Sequence, residues 1–339
     1  MIKMNILVLG GAGYIGSHAV YMLIENGVNV ITVDNLQTGN KGAIHSEAIF
    51  YNGDIRDKEF LRSVFQNEKI DGVLHFAANS LVGESMEKPL EYFSNNVFGT
   101  HILLEVMNEF DVKNIVFSSS AAVYGEPKIV PISEDCIPDP TNTYGETKLM
   151  MEKMMKWSSL AYGINYVSLR YFNVAGAKPS AEIGEDHSPE THLIPLILQV
   201  ALNQRKEISI FGDDYNTPDG TCIRDYIHVE DLVDAHLLAL KYLFNGGKSD
   251  IFNLGNNKGY SVLQIVEAVR RITKHPIPYK ISSRRVGDPS ILVASSEKAK
   301  KVLGWTVKYE DIDLIISDAW KWHKSNPYGF KNKYTTQYH

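Results

Sequence analysis

The stretch Gly10-Gly11-Ala12-Gly13-Tyr14-Ile15-Gly16 decides how this chain folds. It follows the apolar run Asn5-Ile6-Leu7-Val8-Leu9 and opens a segment whose apolar residues, Ile15, Ala19, Met22 and Leu23, recur at helical spacing. Glycines at such a strand-to-helix turn let the backbone bend sharply and approach a pyrophosphate, while the unpaired N–H groups and the positive dipole end of the helix favour the anion. The stretch fits both G-x-G-x-x-G (Gly11, Gly13, Gly16) and G-x-x-G-x-x-G (Gly10, Gly13, Gly16), patterns that carry weight only in context. That context comes from a second β-rich run, Asn29-Val30-Ile31-Thr32-Val33, ending in Asp34. A carboxylate about 20 residues after the glycines accepts hydrogen bonds from an adenosine ribose and repels a 2′-phosphate, so the expected cofactor is NAD rather than NADP.

Composition narrows the class. With 339 residues, 44% of them hydrophobic, the chain is long enough for a large core and is expected to form two domains. A net charge of −6 and a pI near 6.0 argue against a nucleic-acid groove or an anionic membrane as partner. Cys136 and Cys222 are the only cysteines. They make neither a disulfide framework nor a zinc site, which points to a reducing compartment, the cytoplasm. The apolar start is broken by glycines after Leu9 without a small-residue cleavage site and reads as a strand, not a signal peptide. No apolar run approaches the ~18 residues of a membrane span. The histidines show no H-x-x-x-H pattern on a helix, and no metal is expected.

Along the chain, β-like and helical runs keep alternating. Ile49-Phe50-Tyr51 leads to Asp54-Ile55, then a helix is expected over Lys58 to Glu68. Asp54-Ile55 fits either an adenine clamp or a polar loop at a strand end. Gly72-Val73-Leu74-His75-Phe76 is almost wholly apolar, as a parallel strand covered on both faces requires, and His75 within it reads as structural. Ala77-Ala78 are small enough for a cofactor to lie against the backbone. A long helix is expected from Pro89 to about Phe110, and a strand at Asn114–Phe117. Strands joined by crossover helices make a Rossmann-type, doubly wound parallel sheet of the α/β class, with the ligand beyond the carboxyl ends of the strands.

The chemistry is expected at Ser118-Ser119-Ser120, on the carboxyl end of that strand, and at Tyr144-Gly145-Glu146-Thr147-Lys148, which starts a helix running to about Tyr162. Tyrosine and lysine four apart share one helical face. A tyrosine titrates near ~10, and the lysine together with a positive nicotinamide ring is expected to bring Tyr144 towards neutrality, making it a base. Y-x-x-x-K also occurs at Tyr124-Gly125-Glu126-Pro127-Lys128, where Gly125 and Pro127 oppose a helix.

Seven further motifs now join the argument: Asp34-Asn35-Leu36, His75-Phe76-Ala77-Ala78, Val82-Gly83-Glu84-Ser85, Ser118 to Gly125, Arg170-Tyr171-Phe172-Asn173, Arg224-Asp225-Tyr226-Ile227-His228-Val229 and Arg284-Arg285-Val286-Gly287-Asp288. With the glycine turn, they make nearly the whole chain resemble the extended short-chain dehydrogenase/reductase superfamily, and within it the UDP-glucose (UDP-galactose) 4-epimerase family. The resemblance implies Tyr144, Lys148 and Ser120 as catalytic residues. It implies cofactor contacts from Gly10, Gly13, Tyr14, Ile15, Gly16, Asp34, Asn35, Asp54, Ile55, Phe76, Ala77, Ala78, Asn95, Tyr144, Lys148 and Tyr171. For a UDP-sugar it implies Arg224 and Arg285 on the phosphates, Asp288 on the uridine ribose, the Phe211 backbone at the uracil, Asn173, His192, Leu193 and Ser120 lining the pocket, and Leu292 bordering the sugar 2-substituent. Arginine suits a diphosphate because its planar fork gives paired hydrogen bonds. The chain departs from the family at Ser80, where lysine is common, at His192 for asparagine and at Val174 for proline. Related dehydratases place a Thr-Asp-Glu group where this chain has Ser120-Ala121-Ala122. Without a carboxylate there, oxidation at sugar carbon 4 feeds no elimination, and hydride return to the other face is the expected outcome. The expected activity is therefore interconversion of UDP-galactose and UDP-glucose, with weaker turnover of UDP-N-acetylglucosamine. The alternatives are a net oxidoreductase or decarboxylase of UDP-sugars, and a non-catalytic dinucleotide sensor.

The expected division is an NAD-binding domain over residues 1–176 with a returning segment near 226–258, and an interleaved UDP-sugar domain over 177–339. In the second half, helices are expected over Leu193 to Asn203, Asp231 to Tyr242, Tyr260 to Ile272 and Ser295 to Leu303, a strand over Asp250 to Gly255, and a weakly specified tail after Pro327. Leu149, Met150, Met151, Met154, Met155 and Trp157 cover more than one face of their helix, as do Phe93, Val97, Leu103 and Val106 of theirs, which leads to an expected two-fold homodimer of paired helices.

Overall fold

The computed structural model describes residues 4–285 and 288–330. Val286 and Gly287 of the Arg-Arg-x-Gly-Asp motif, and most of the tail after Pro327, lie outside the described residues. Among those described, the strands in chain order are β1 (Asn5–Leu9), β2 (Asn29–Asp34), β3 (Ile49–Asn52), β4 (Gly72–His75), β5 (Asn114–Ser118), β6 (Asn165–Tyr171), β7 (Asn173–Ala175), β8 (Ile208–Phe211), β9 (Ile223–His228), β10 (Asp250–Leu254), β11 (Gly259–Ser261), β12 (Tyr279–Ser282) and β13 (Ile291–Leu292).

Seven of them form one parallel sheet in the order β10-β6-β5-β4-β1-β2-β3. The chain winds outward from β1 in both directions, so the crevice between β1 and β4 is the topological switch point where ligands of such sheets sit. Both faces are covered, which explains why the central strands are nearly continuous apolar runs. Ile6 and Val8 of β1 join a core with Ala19 and Leu23 of the helix Tyr14–Glu25 and with Leu232 and Leu240 of the helix Val229–Phe244. Leu7 and Leu9, pointing the other way, pack with Leu61, Leu103 and Met151 from the helices Lys58–Asn67, Gly99–Glu109 and Thr143–Tyr162. β10 returns to the sheet beside β6, as expected of Asp250 to Gly255.

A smaller assembly stands at the carboxyl ends. β9 pairs with β11 and β13 along Ile223–Asp225 and with β7 along Tyr226–His228, while β8 and β12 form a separate pair. The helices Leu193–Ala201, Val262–Thr273 and Ile312–Ser325 close a core around Ile197, Ile265 and Ile315.

Four details differ from the sequence reading. The segment after Pro89 is not one regular helix: Pro89–Tyr92 and Gly99–Glu109 are α-helical, but Phe93–Phe98 between them is a π-helix that buries Asn95 and Asn96. Tyr260 belongs to β11, because Ser261 caps the next helix through a reciprocal capping box with Gln264. The helix Ile312–Ser325, capped by Asp311, was not foreseen. Leu103, Val106, Leu149, Met151 and Met155 pack into the core rather than forming surplus surface, whereas Trp157 (67% exposed) and Leu160 (70%) remain outside. No described helix is long and apolar enough to cross a membrane.

Candidate active site

The glycine turn is shaped by close approach. Gly10 has φ +80°, and a Cβ there would come within 2.8 Å of the Ala77 backbone nitrogen, while one at Gly16 would run into the Gly10 carbonyl. The helix that follows starts at Tyr14 with Gly13 as N-cap, no side-chain cap and no acidic residue in its first turn. Its first N–H groups therefore remain available to an anion. Asp34, at the end of β2, accepts from Ala12 N at 3.0 Å and Leu36 N at 2.8 Å, which fixes its carboxylate beside the turn.

One cavity runs from this turn across the switch point. It is lined by Gly10, Gly13, Tyr14, Ile15, Gly16, Asp34, Asn35, Ile55, Phe76, Ala77, Ala78, Asn95, Ser120, Tyr144, Lys148, Tyr171, Asn173, His192 and Leu193 of the expected residues, and also by Gln37, Thr38, Asn79, His187 and Tyr226, which the sequence reading did not single out. Asp54 is not among the lining residues. Its carboxylate is gripped by Arg56 (Nε to Oδ1 2.9 Å, Nη2 to Oδ2 2.6 Å) and touched by Asn35, and these bonds hold it at a pKa of about 2.

Tyr144 stands at the start of its helix because several contacts fix that end. Asn142 caps Gly145 N at 2.9 Å, Ser85 Oγ accepts from Tyr144 N at 3.1 Å, and Thr147 Oγ1, which donates to Tyr144 O, accepts from Asn96 Nδ2 at 3.0 Å. The π-helix thus carries Asn96 to the helix Thr143–Tyr162 and Asn95 to the cavity. Burial pushes the Tyr144 phenol up to about 12, partly offset by a hydrogen bond with Ser120. Lys148 is equally buried, and desolvation pushes its ammonium down to about 7 against the opposing pull of Glu152. Its Nζ donates to Ser118 O at 2.9 Å and lies 5.7 Å from the centre of the Tyr144 ring. In the protein alone burial governs both groups, with one Lys148 N–H bonded to the Ser118 carbonyl; the expectation that the lysine and a positive nicotinamide ring together lower the phenol is one for the cofactor-bound protein.

The three serines face three ways. His236 Nδ1 sits 2.9 Å from the Leu232 carbonyl and must donate to it, so its Nε2 accepts from the Ser118 hydroxyl at 2.9 Å. Ser119 donates to Glu152 Oε1 at 2.5 Å, within a buried network in which Arg170 grips Glu152 through Nε (2.9 Å) and Nη2 (2.6 Å) and donates to Tyr124 Oη at 2.9 Å. Ser120 accepts from Ala122 N at 3.1 Å and faces the cavity. His75 is buried, its pKa pushed down to about 3, and Thr100 Oγ1, which spends its own proton on Asn96 O, accepts from its Nε2 at 2.9 Å. Asp34 is the one carboxylate lining the cavity among the described residues, and it stands on β2, three strands from β5.

Phe211, Arg224, Arg285, Asp288 and Leu292 do not line this cavity. Four of them gather in a second cluster, in which Arg285 lies over the Phe211 ring at 4.0 Å and Arg224 Nη2 lies 3.5 Å from Asp288 Oδ1. Leu292 is half-buried in β13 opposite Arg224, and packs with Val123, Tyr124, Ile132 and Leu149. A third cluster was missed altogether, because its residues lie on a loop with no helical spacing: Glu185, His187, Glu190 and His192 bring their ligand atoms within 4.8 Å of one another.

Comparison with known proteins follows the same lines. Residues 6–255 match the NAD dependent epimerase/dehydratase family. A UDP-glucose 4-epimerase of Halalkalibacterium halodurans is 58% identical over 330 residues, covering 97% of this chain and 98% of the relative. A crystal structure of a UDP-glucose 4-epimerase superposes with TM-score 0.94 at 62% identity, over 96% of this chain and 99% of that one. The Bifidobacterium longum UDP-glucose 4-epimerase, solved in complex with NAD+ and UDP, superposes with TM-score 0.91 at 40% identity, over 96% of this chain and all of that one.

Proposed function

The chain belongs to the NAD dependent epimerase/dehydratase family, and from that premise we propose that it is an isomerase interconverting UDP-galactose and UDP-glucose. The observation that carries this reading is the Tyr144–Ser120–Lys148 group in a cavity with no carboxylate beside it. Tyr144 is placed to serve as base, and among the described residues no carboxylate stands beside it to drive an elimination. Glu152, the acid nearest Lys148 on the same helical face, is held by Arg170 and Ser119.

The glycine turn fits NAD: the helix start is uncapped, the Gly10–Ala77 approach leaves no room for a side chain, and Asp34 stands where a ribose is met. Bound there, NAD supplies a hydride acceptor for sugar carbon 4 that can give the hydride back to either face. Burial holds the Tyr144 phenol protonated in the protein alone, so it would act as base once the positive ring of bound NAD and the Lys148 ammonium offset that penalty; as phenolate it would take the proton of the sugar 4-hydroxyl, directly or through Ser120, and return it. Lys148 holds the carbonyl end of β5 and lends the Tyr144 site positive charge when protonated. Arg224 and Arg285 hold the diphosphate while the sugar turns, with Asp288 on the uridine ribose and Phe211 at the uracil; Asn173, His192 and Leu193 border the sugar end.

We divide the chain into an NAD-binding part, 1–176 with the 226–258 return, and a UDP-sugar part, 177–339. Support for the return comes from the helix Val229–Phe244 and β10, which pack in the large sheet's core. The exposed Trp157 and Leu160 side of the helix Thr143–Tyr162 supports a homodimer, and two free cysteines support the cytoplasm. UDP-N-acetylglucosamine is a weaker substrate, with Leu292 acting from behind the serine turn; Leu292→Tyr should lower turnover of the N-acetyl sugar more than that of UDP-galactose. A substrate panel tests the main reading: UDP-galactose and UDP-glucose interconvert, while free galactose does not react. Equal turnover of the free sugar would remove the roles of Arg224 and Arg285.

A further inference from the structure

The loop that carries Glu185 is anchored without its carboxylate. Trp322 Nε1 donates to Glu185 O at 3.1 Å, Asn40 Nδ2 to Asp186 O at 3.0 Å and Phe330 N to Asp186 Oδ2 at 2.9 Å. These contacts leave the Glu185 side chain, 3% exposed, turned towards His187, Glu190 and His192. His192 Nδ1 lies 2.5 Å and His187 Nδ1 3.2 Å from Glu185 Oε1. Across the cluster, His192 Nδ1 lies 3.6 Å from Glu190 Oε1, and His187 Nδ1 3.7 Å from Glu190 Oε2. A zinc ion with bonds of about 2.0–2.2 Å has tetrahedral corners roughly 3.3–3.5 Å apart. The four donor atoms straddle that spacing. Between the two carboxylates, the buried His187 Nδ1 atom makes no aligned hydrogen bond to either.

We propose that Glu185, His187, Glu190 and His192 form a four-coordinate site for a zinc-class divalent ion that fixes the shape of the loop 183–193 beside the glycine turn. Two carboxylates balance the ion's charge; Glu190 Oε1 already accepts from Thr191 N and His192 N at 2.8 Å, and the ion would take the place of the proton between His192 Nδ1 and the buried Glu185 Oε1. Two imidazole donors select zinc, cobalt or nickel over magnesium and calcium, which take oxygen. Four protein ligands leave no open position, so the ion is structural. Its placement gives it a task. The His187 ring stands edge-on to Tyr14 at 6.2 Å, next to the turn that receives the pyrophosphate, and His192 precedes the first residue of the helix Leu193–Ala201, so the ion joins the cofactor end of the cavity to its sugar end.

The test uses the full chain, stripped with a chelator and titrated with Co²⁺ and then Zn²⁺. The expected result is one Co²⁺ per chain with the intense visible bands of four-coordinate cobalt, displaced by Zn²⁺. Zn²⁺ should also raise the melting temperature, through linkage, where Mg²⁺ does not. His187→Gln and the near-isosteric Glu190→Gln, both checked for native circular dichroism, should each weaken Co²⁺ binding at least about tenfold. The proposal is overturned if the wild type gives only the weak bands of six-coordinate cobalt or no binding, or if Glu190→Gln binds with unchanged affinity and spectrum.

Discussion

Three consecutive serines illustrate how much one side chain's direction decides. Ser118 serves His236, Ser119 serves Glu152, and Ser120 alone reaches the cavity beside Tyr144. Tyr144→Phe keeps the ring and loses the proton-carrying oxygen, so turnover should fall about 10²–10⁴-fold with bound NAD unchanged, as measured by kinetics and by cofactor released on denaturation; near-normal turnover would remove Tyr144 from the mechanism. Lys148 gives a prediction of opposite kind. Its folded pKa is about 7 against 10.5 for the free group. Between those values the unfolded chain binds more protons than the folded one, so stability rises with pH across that window, and below it the burial penalty is complete. Compared with Lys148→Met, which has no charge to bury, the wild type should gain stability from about pH 6.5 to about pH 9.5 in urea unfolding. A constant difference between the two proteins would contradict it. Tyr144 and Lys148 were legible because their relation is local, four residues on one helix. The Ser119–Glu152–Arg170–Tyr124 network was not, since it joins three elements, although Glu152 sits four residues past Lys148 on the same face.

At the scale of elements, the helix Thr143–Tyr162 lies close to the serine turn, and Gly145 is where they touch. A Cβ there would strike the Ala122 carbonyl, whereas one at Gly83, also early in a helix, meets nothing within 4 Å. Gly145→Ala should therefore cost about 1–3 kcal/mol and much of the activity, while Gly83→Ala should leave stability unchanged or raise it by about 0.4–1 kcal/mol; thermal melts of the two variants decide, and equal melting temperatures would show that the approach is not tight. The strands of the large sheet were readable because doubly covered strands are short and uniformly apolar. The π-helix was not, because Phe93–Phe98 holds no glycine or proline to mark a break, and the burial of Asn95 and Asn96 depends on partners distant in sequence. The helix Ile312–Ser325 did leave a signal: Asp311 as cap, then Ile312, Ile315, Ile316, Ala319 and Trp322 at helical spacing, all buried.

At the scale of the whole molecule, the large sheet supplies a cofactor crevice, and the smaller assembly on β9 places Arg224 beside Leu292 of β13. The sequence pattern alone overcounted the surface. It set Leu149, Met151 and Met155 outside, where the fold uses them as core, because a helix packed against both sheet and serine turn buries more than one stripe. Trp157 and Leu160 stay exposed. If they pair two copies, a Trp157→Glu, Leu160→Glu double variant should halve the mass seen by light scattering while keeping its circular dichroism, and an unchanged mass would place the interface elsewhere. The central claim is that the hydride taken from carbon 4 goes back to the same sugar. Purified protein incubated with UDP-galactose, followed at once by product analysis and by NADH fluorescence, tests it most directly: UDP-glucose should form up to equilibrium with no net NADH, whereas NADH rising in step with product, or no UDP-glucose at all, would contradict the account.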